Sequence, residues 1–196
     1  MDKSEKEKLA NAMGWLGVGY IFLYIDINIG SFNLMPNWAF YIFAYLALPE
    51  LGRAERSALL LQPLTGLLFA WECLCWGCTA LGVAPGGGAW YLPQLLAGVL
   101  GLYYHFQLLT NAADAARSFH CEKAGQLIVL RNIRTVLSTL VTLPWPLERM
   151  DASAQAAIAI VIAAVAVVLS VWSIIAIFAV RGELLGGRWG SDESPE

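Results

Sequence analysis

Long apolar runs, broken by short stretches of charged, Gly, Pro and Asn residues, divide the chain into six segments. Segment A covers Ala10 to Ile29, B Asn37 to Leu51, C Ser57 to Leu81, D Ala89 to Asn111, E Ala124 to Leu143 and F Ser153 to Val180. A hydrocarbon core about 30 Å thick takes roughly 20 apolar residues per helix, and A, C, D and F reach that length. B is apolar throughout but short. E carries Arg131, Asn132 and Arg134 in its first half, each costly in lipid unless it snorkels or finds a partner. Hydropathy alone leaves four, five or six crossings open.

The distribution of cations chooses among them, because loops on the inner side of a membrane accumulate Lys and Arg. With six crossings and an inside N-terminus, Lys3, Lys6, Lys8, Arg53, Arg56, Arg117, Lys123, Arg181 and Arg188 lie inside, and Arg131 and Arg134 sit at the inner end of E. Arg149 is then the only outside cation of twelve. Omitting B would carry Arg53 and Arg56 outside and spoil the pattern. The outer connections, Ile29 to Pro36, Val83 to Gly88 and Pro144 to Asp151, are rich in turn-forming Gly, Pro and Asn. The expected fold is therefore all-α: a polytopic membrane helical bundle of six transmembrane helices in three hairpins, A with B, C with D and E with F. Residues 1–185 form one transmembrane domain, and 186–196 a disordered cytoplasmic tail. Trp38, Trp76, Trp90 and Trp145 fall near the outer boundary, where amphipathic rings anchor.

Composition narrows the function classes. Of 196 residues, 58% are hydrophobic and 14% charged, against roughly a quarter charged in a soluble domain, so six spans leave no room for a separate soluble domain. A formal charge of -3 argues against a nucleic-acid partner, which needs a basic face. The charged N-terminus runs directly into segment A without a small-residue cleavage pattern, which reads as an uncleaved first helix.

Polar side chains inside apolar segments carry the functional signal, since they default to the bundle interior. In segment C, Gln62, Thr65, Phe69, Glu72, Trp76 and Thr79 share one helix face. In D, Gln94, Gly98, Gly101 and His105 do so, and in E, Arg131, Arg134 or Thr135, Ser138 and Thr142. At about 1.5 Å per residue, Glu72 lies about 22 Å from the inner end of C and Arg134 about 15 Å from that of E. A buried ion pair of Glu72 with Arg134 or Arg131 is expected, with Gln94 and His105 completing a substrate-binding site.

The competing readings stay open. The Glu72 pair could only fix helix register, and a lone His105 is commonly a packed side chain. His105 and His120 lack partners at ligand spacing, so neither a metal nor any other cofactor is expected. Asp26, Asn28, Asn33 and Asn37 could line a small outer mouth or cap helices A and B. Cys75-Trp76-Gly77-Cys78 is formally a redox motif, but residues three apart on a helix stand about 5 to 6 Å apart, too far for a disulfide. Ser138 and His105 come with no nucleophile elbow, zinc motif or carboxylate cluster, so enzymatic activity is not expected.

The run Ile25-Asp26-Ile27-Asn28-Ile29-Gly30-Ser31-Phe32-Asn33-Leu34-Met35-Pro36, followed by aromatic segment B, resembles the first hairpin of a group of small multi-pass bacterial membrane proteins that read Ile-Asn-Ile-Gly-x-Phe-x-x-x-Pro. The resemblance covers about a fifth of the chain and implies a bacterial inner-membrane address, where the loop charges place both termini in the cytoplasm, but no activity and no site residue. Six helices in so short a chain also look like the substrate-binding subunits of energy-coupling-factor vitamin transporters, in architecture only.

The leading expectation is small-solute binding or transport, in the lipid bilayer, as a homo-oligomer or with a partner subunit, because the chain is short for a repeat transporter. The rival is a non-catalytic membrane scaffold or regulatory subunit, suggested by Ala152, Ala156, Ala159, Ala163 and Ala166 at helical spacing. A membrane thiol redox protein is the distant third.

Overall fold

The computed structural model describes residues 3–25, 27–29, 32–83, 88–142 and 151–186. Six α-helices run through them: α1 (Lys3–Tyr24), α2 (Trp38–Ala54), α3 (Gln62–Ala80), α4 (Tyr91–Ser118), α5 (Ala124–Thr142) and α6 (Ala152–Leu184). Short 3-10 turns, Arg56–Leu61 and Gly88–Trp90, lead into α3 and α4. The turn after α1 holds a two-residue antiparallel ladder of β1 (Asn28–Ile29) and β2 (Phe32–Asn33).

Local chemistry sets the boundaries, and corrects two expected ones. Segment A begins seven residues early because Lys3 to Lys8 are good helix formers carrying interleaved opposite charges. It ends at Tyr24 rather than Ile29, since alternating β-branched Ile with Asp and Asn disfavours helix. Asn33 Oδ1 then accepts the Met35 amide at 2.8 Å and tightens the turn. Glu55 caps the next element, accepting from the Ser57 amide at 3.2 Å and the Ser57 hydroxyl at 2.8 Å. Asp151 caps α6 through the Ala154 amide at 2.8 Å. At the end of α4, His120 adopts φ 59°, and the Cys121 amide reaches back to the Ala116 carbonyl at 3.2 Å, the pattern of a left-handed C-terminal cap.

The helices close a ring in chain order, each packing on the next and α6 on α1, with α2 and α4 also touching across it. Contact between α4 and α5 is more extensive than between α3 and α4 or α5 and α6. The expected pairing of helices in three hairpins therefore understates the joint made through the loop at 119–123.

Buried side chains collect at one end of the ring. They include Leu9, Met13 and Leu16 of α1, Leu48 and Leu51 of α2, Leu61 before α3, Leu108 and Leu109 of α4, Leu127 of α5, and Ile177 and Val180 of α6. Small residues bring the backbones together there: Ala112, Ala113, Ala115 and Ala116 of α4 and Ala44 and Ala47 of α2 are fully buried. At Gly17 a Cβ would stand 2.8 Å from the Phe178 ring, so glycine sets the approach of α6 to α1. The alanine face of α6 behaves differently from the expectation of close packing: Ala152, Ala156, Ala159 and Ala163 are exposed.

At the other end the helices turn apolar side chains outward. Leu81 is 83% exposed, Ile160 68% and Val168 65%. Two helical stretches, Arg56–Ala80 and Ala152–Leu184, are long and apolar enough to cross a membrane. Only 22% and 11% of their most apolar windows are buried inside the chain. A core helix of a water-soluble protein hides its apolar face, and monomers seldom leave apolar patches beyond a few hundred Å².

The expected tail lies outside the described residues from 187 on, as do Asp26, Trp145, Arg149 and most of the connections at 84–87 and 143–150.

Candidate functional site

The polar face of α5 presents Arg131, Arg134, Thr135 and Ser138 at spacings of three and four, which bring them onto one side. Opposite, α4 offers Gly98, Leu102, His105, Phe106 and Leu109. These nine residues line a cavity of about 110 Å³ between the two helices. At about 30 Å³ of liquid volume per water, that is room for three or four waters or one small polar group.

Each charged side chain at the cavity is held by neutral groups. Arg134 donates to the Tyr24 hydroxyl, and its guanidinium carbon lies 5.5 Å from the Tyr20 ring centroid and 5.2 Å from that of Tyr24. Arg131 donates to the Thr110 hydroxyl at 3.0 Å and to Asn132 Oδ1 at 3.0 and 2.8 Å, and stacks 4.4 Å over Phe106. Such contacts with ring faces attract cations through the aromatic quadrupole. His105 is fixed through Nδ1, which hydrogen-bonds the Tyr20 hydroxyl at 3.2 Å, and its ring packs on Phe40 and Tyr104. Behind it the Tyr104 hydroxyl bonds the Thr65 hydroxyl at 3.0 Å, so α1, α3, α4 and α5 are tied by one aromatic and hydroxyl cluster.

Of the five expected site residues, three converge here: His105, Arg131 and Arg134. The other two do not line this cavity. Gln94 is exposed on α4, eleven residues before His105, or about 16 Å along the helix. Glu72 is half-buried on α3, within electrostatic reach of Tyr41. Among the described residues the ion pairs are Arg53–Glu50 and Arg117–Asp114, so the expected bridge from Glu72 to Arg134 or Arg131 is corrected. The reason is adjacency: α3 packs on α2 and α4, whereas α5 packs on α4 and α6. The α3 stripe meets α2 and the turn after α1 instead. Trp38 packs edge-on against Phe69 and Trp76, and the Trp76 indole donates to the Asn33 carbonyl at 3.2 Å.

A second polar cluster, not anticipated from sequence, joins the end of α6 to the loop before α5. Glu183 in the last turn of α6 accepts three hydrogen bonds: from the Cys121 thiol at 2.9 Å, the Glu122 amide at 2.7 Å and the Lys123 amide at 3.1 Å. It caps the start of α5 from another helix, where a carboxylate suits both the free amides and the helix dipole. Burial, with the Glu183 carboxylate alongside, pushes the Cys121 thiol up to about 12, so it stays a protonated donor at neutral pH. Nearby, Asn111 Oδ1 accepts from Ser57 at 3.0 Å and Gln107 at 2.8 Å.

Cys73, Cys75, Cys78 and Cys121 are all free thiols. Among the described residues no group of three or more His, Cys, Asp or Glu side chains could hold a metal ion.

Among the described residues, fold and site together define a helical bundle of six helices, two of them apolar and long enough to cross a membrane, with a cationic cavity between α4 and α5. Compared with protein families, curated proteins and solved structures, the chain finds no match to any of them.

Proposed function

We propose that all six helices cross a bacterial inner membrane, with both termini on the inner face, and that the α4–α5 cavity binds a small solute as part of its transport. The observation that carries this is the cavity itself. His105, Arg131 and Arg134, from two largely apolar helices, turn toward one partly open cavity, although each could instead point away or snorkel toward the nearer surface. Further support comes from the apolar exterior of α3 and α6, which lipid would cover.

The rival reading, a membrane scaffold or regulatory subunit, draws on the exposed alanine face of α6, a surface suited to close contact with another helix. In that reading the cavity is sealed and dry.

The two readings separate in a variant whose four native cysteines are replaced. Ser138→Cys at the cavity wall is expected to react with a small neutral water-soluble maleimide at least tenfold faster than Val136→Cys, which is 60% exposed on the outer surface of the bundle. Equal and negligible labelling at the two positions would remove the solute site and leave the scaffold.

A further inference from the structure

We infer that the α4–α5 cavity takes an oxyanion, a carboxylate or phosphate group, with Arg131 and Arg134 as its counter-charges. This rests on the solute-site reading and adds the chemical class of the ligand.

Charge balance carries the argument. Two guanidiniums, effectively always protonated, line a cavity of about 110 Å³. Every partner they have among the described residues is neutral: the hydroxyls of Tyr24 and Thr110, the amide oxygen of Asn132 and the faces of Phe106, Tyr20 and Tyr24. Among the described residues no carboxylate lines the cavity, and Glu72 stands on α3 without an ion pair to either arginine. Both arginines are half-buried, and charge that a bilayer keeps from water calls for an opposite charge or for solvent. A cationic ligand would be repelled, and a neutral one would leave both charges unbalanced.

Donor geometry points the same way. A guanidinium carries five N–H donors in a fixed fork that matches carboxylate and phosphate oxygens. Arg134 commits one nitrogen to Tyr24, so most of its fork is unspent. Thr135 shares the cavity wall and uses its own proton on the Arg131 carbonyl at 2.8 Å, which anchors the α5 face without placing an acid there. The volume admits the charged head of a ligand rather than a bulky whole. The same chemistry could come from a soluble small anion or from the phosphate of an anionic lipid.

Full-length protein in a non-ionic detergent is titrated calorimetrically with sodium phosphate and with sodium acetate at constant ionic strength. In parallel, thermal midpoints are measured in nanodiscs of phosphatidylcholine with and without phosphatidylglycerol. Saturable binding of phosphate or acetate, weakened at least tenfold by Arg134→Gln and by Arg131→Gln but unchanged in Arg117→Gln, identifies a soluble anion. Stabilisation by phosphatidylglycerol alone, lost in the same two variants, identifies the lipid headgroup. Where an arginine variant does not fold, protection of Ser138→Cys from the neutral maleimide by the same anions, with both arginines intact, gives the reading instead. The inference is overturned if neither anion nor phosphatidylglycerol binds or protects, or if binding survives loss of both arginines. Labelling of Ser138→Cys without anion binding would defeat the anion assignment while sparing the solute site, whereas an unreactive Ser138→Cys defeats the site itself.

Discussion

Tyr20→Ala is expected to lower the unfolding free energy by about 3–5 kcal/mol, the range for truncating a buried aromatic ring. Tyr20 is fully buried and packs on Phe40 at 5.0 Å, Tyr24 at 5.5 Å and His105 at 5.7 Å between ring centroids. It also bonds His105 and lies under Arg134, so its loss opens the core and unseats two cavity residues together. Tyr20→Phe keeps the ring and removes only the hydroxyl, for about 1 kcal/mol. Reversible denaturation in micelles measures both. A Tyr20→Ala cost below that of Tyr20→Phe would show that the ring does not sit in the core.

Glu183→Ala is the second large effect, expected to cost about 2 kcal/mol. Hydrogen bonds to a charged group contribute about 1.5–3 kcal/mol each, but the three here share one partly exposed carboxylate, and solvent screening reduces their sum. Glu183→Gln keeps an acceptor, loses the charge and falls between. Hydrogen exchange at Glu122 and Lys123, whose amides the carboxylate holds, should accelerate in Glu183→Ala while exchange in the buried part of α1 does not. The pH dependence has a definite sign. The Cys121 thiol is raised from an ordinary 9.0 to about 12 in the folded chain, so its contribution is complete below pH 9 and is lost as pH climbs toward 12. A Glu183→Ala variant as stable as the parent, with unchanged exchange at both amides, would show that the Glu183 cap is incidental.

Much of the helical plan could be read from apolar runs and turn residues, because helix length and breakers are local properties. Segment E begins at Ala124, as α5 does, and the end of A was misjudged where Ile alternates with Asp and Asn. The site was legible in part for a related reason. Spacing of three and four put Arg131 and Arg134 on one face and marked His105, and these three meet at one cavity.

Periodicity says which residues share a face but not which helix that face meets. Face, depth and opposite charge pair Glu72 with the arginines, but the ring order of the helices separates α3 from α5. Tyr20 and Tyr24 carry no site signal in the sequence, because a tyrosine in an apolar run reads as core or anchor. Their hydroxyls matter only once α4 and α5 are brought beside α1. The Glu183 cap joins positions about sixty residues apart, a separation at which no local pattern carries information.

The most direct test of a membrane bundle with a cavity between α4 and α5 is the sidedness of its ends. In the cysteine-replaced background, single cysteines at Lys6, Arg56 and Lys123 should react with a membrane-impermeant maleimide only in inside-out vesicles, and those at Leu81 and Ser153 only in intact spheroplasts. Labelling of all five from the same side, or release of the chain from the membrane at alkaline pH, would contradict six crossings and leave α4 and α5 without a bilayer around their cavity.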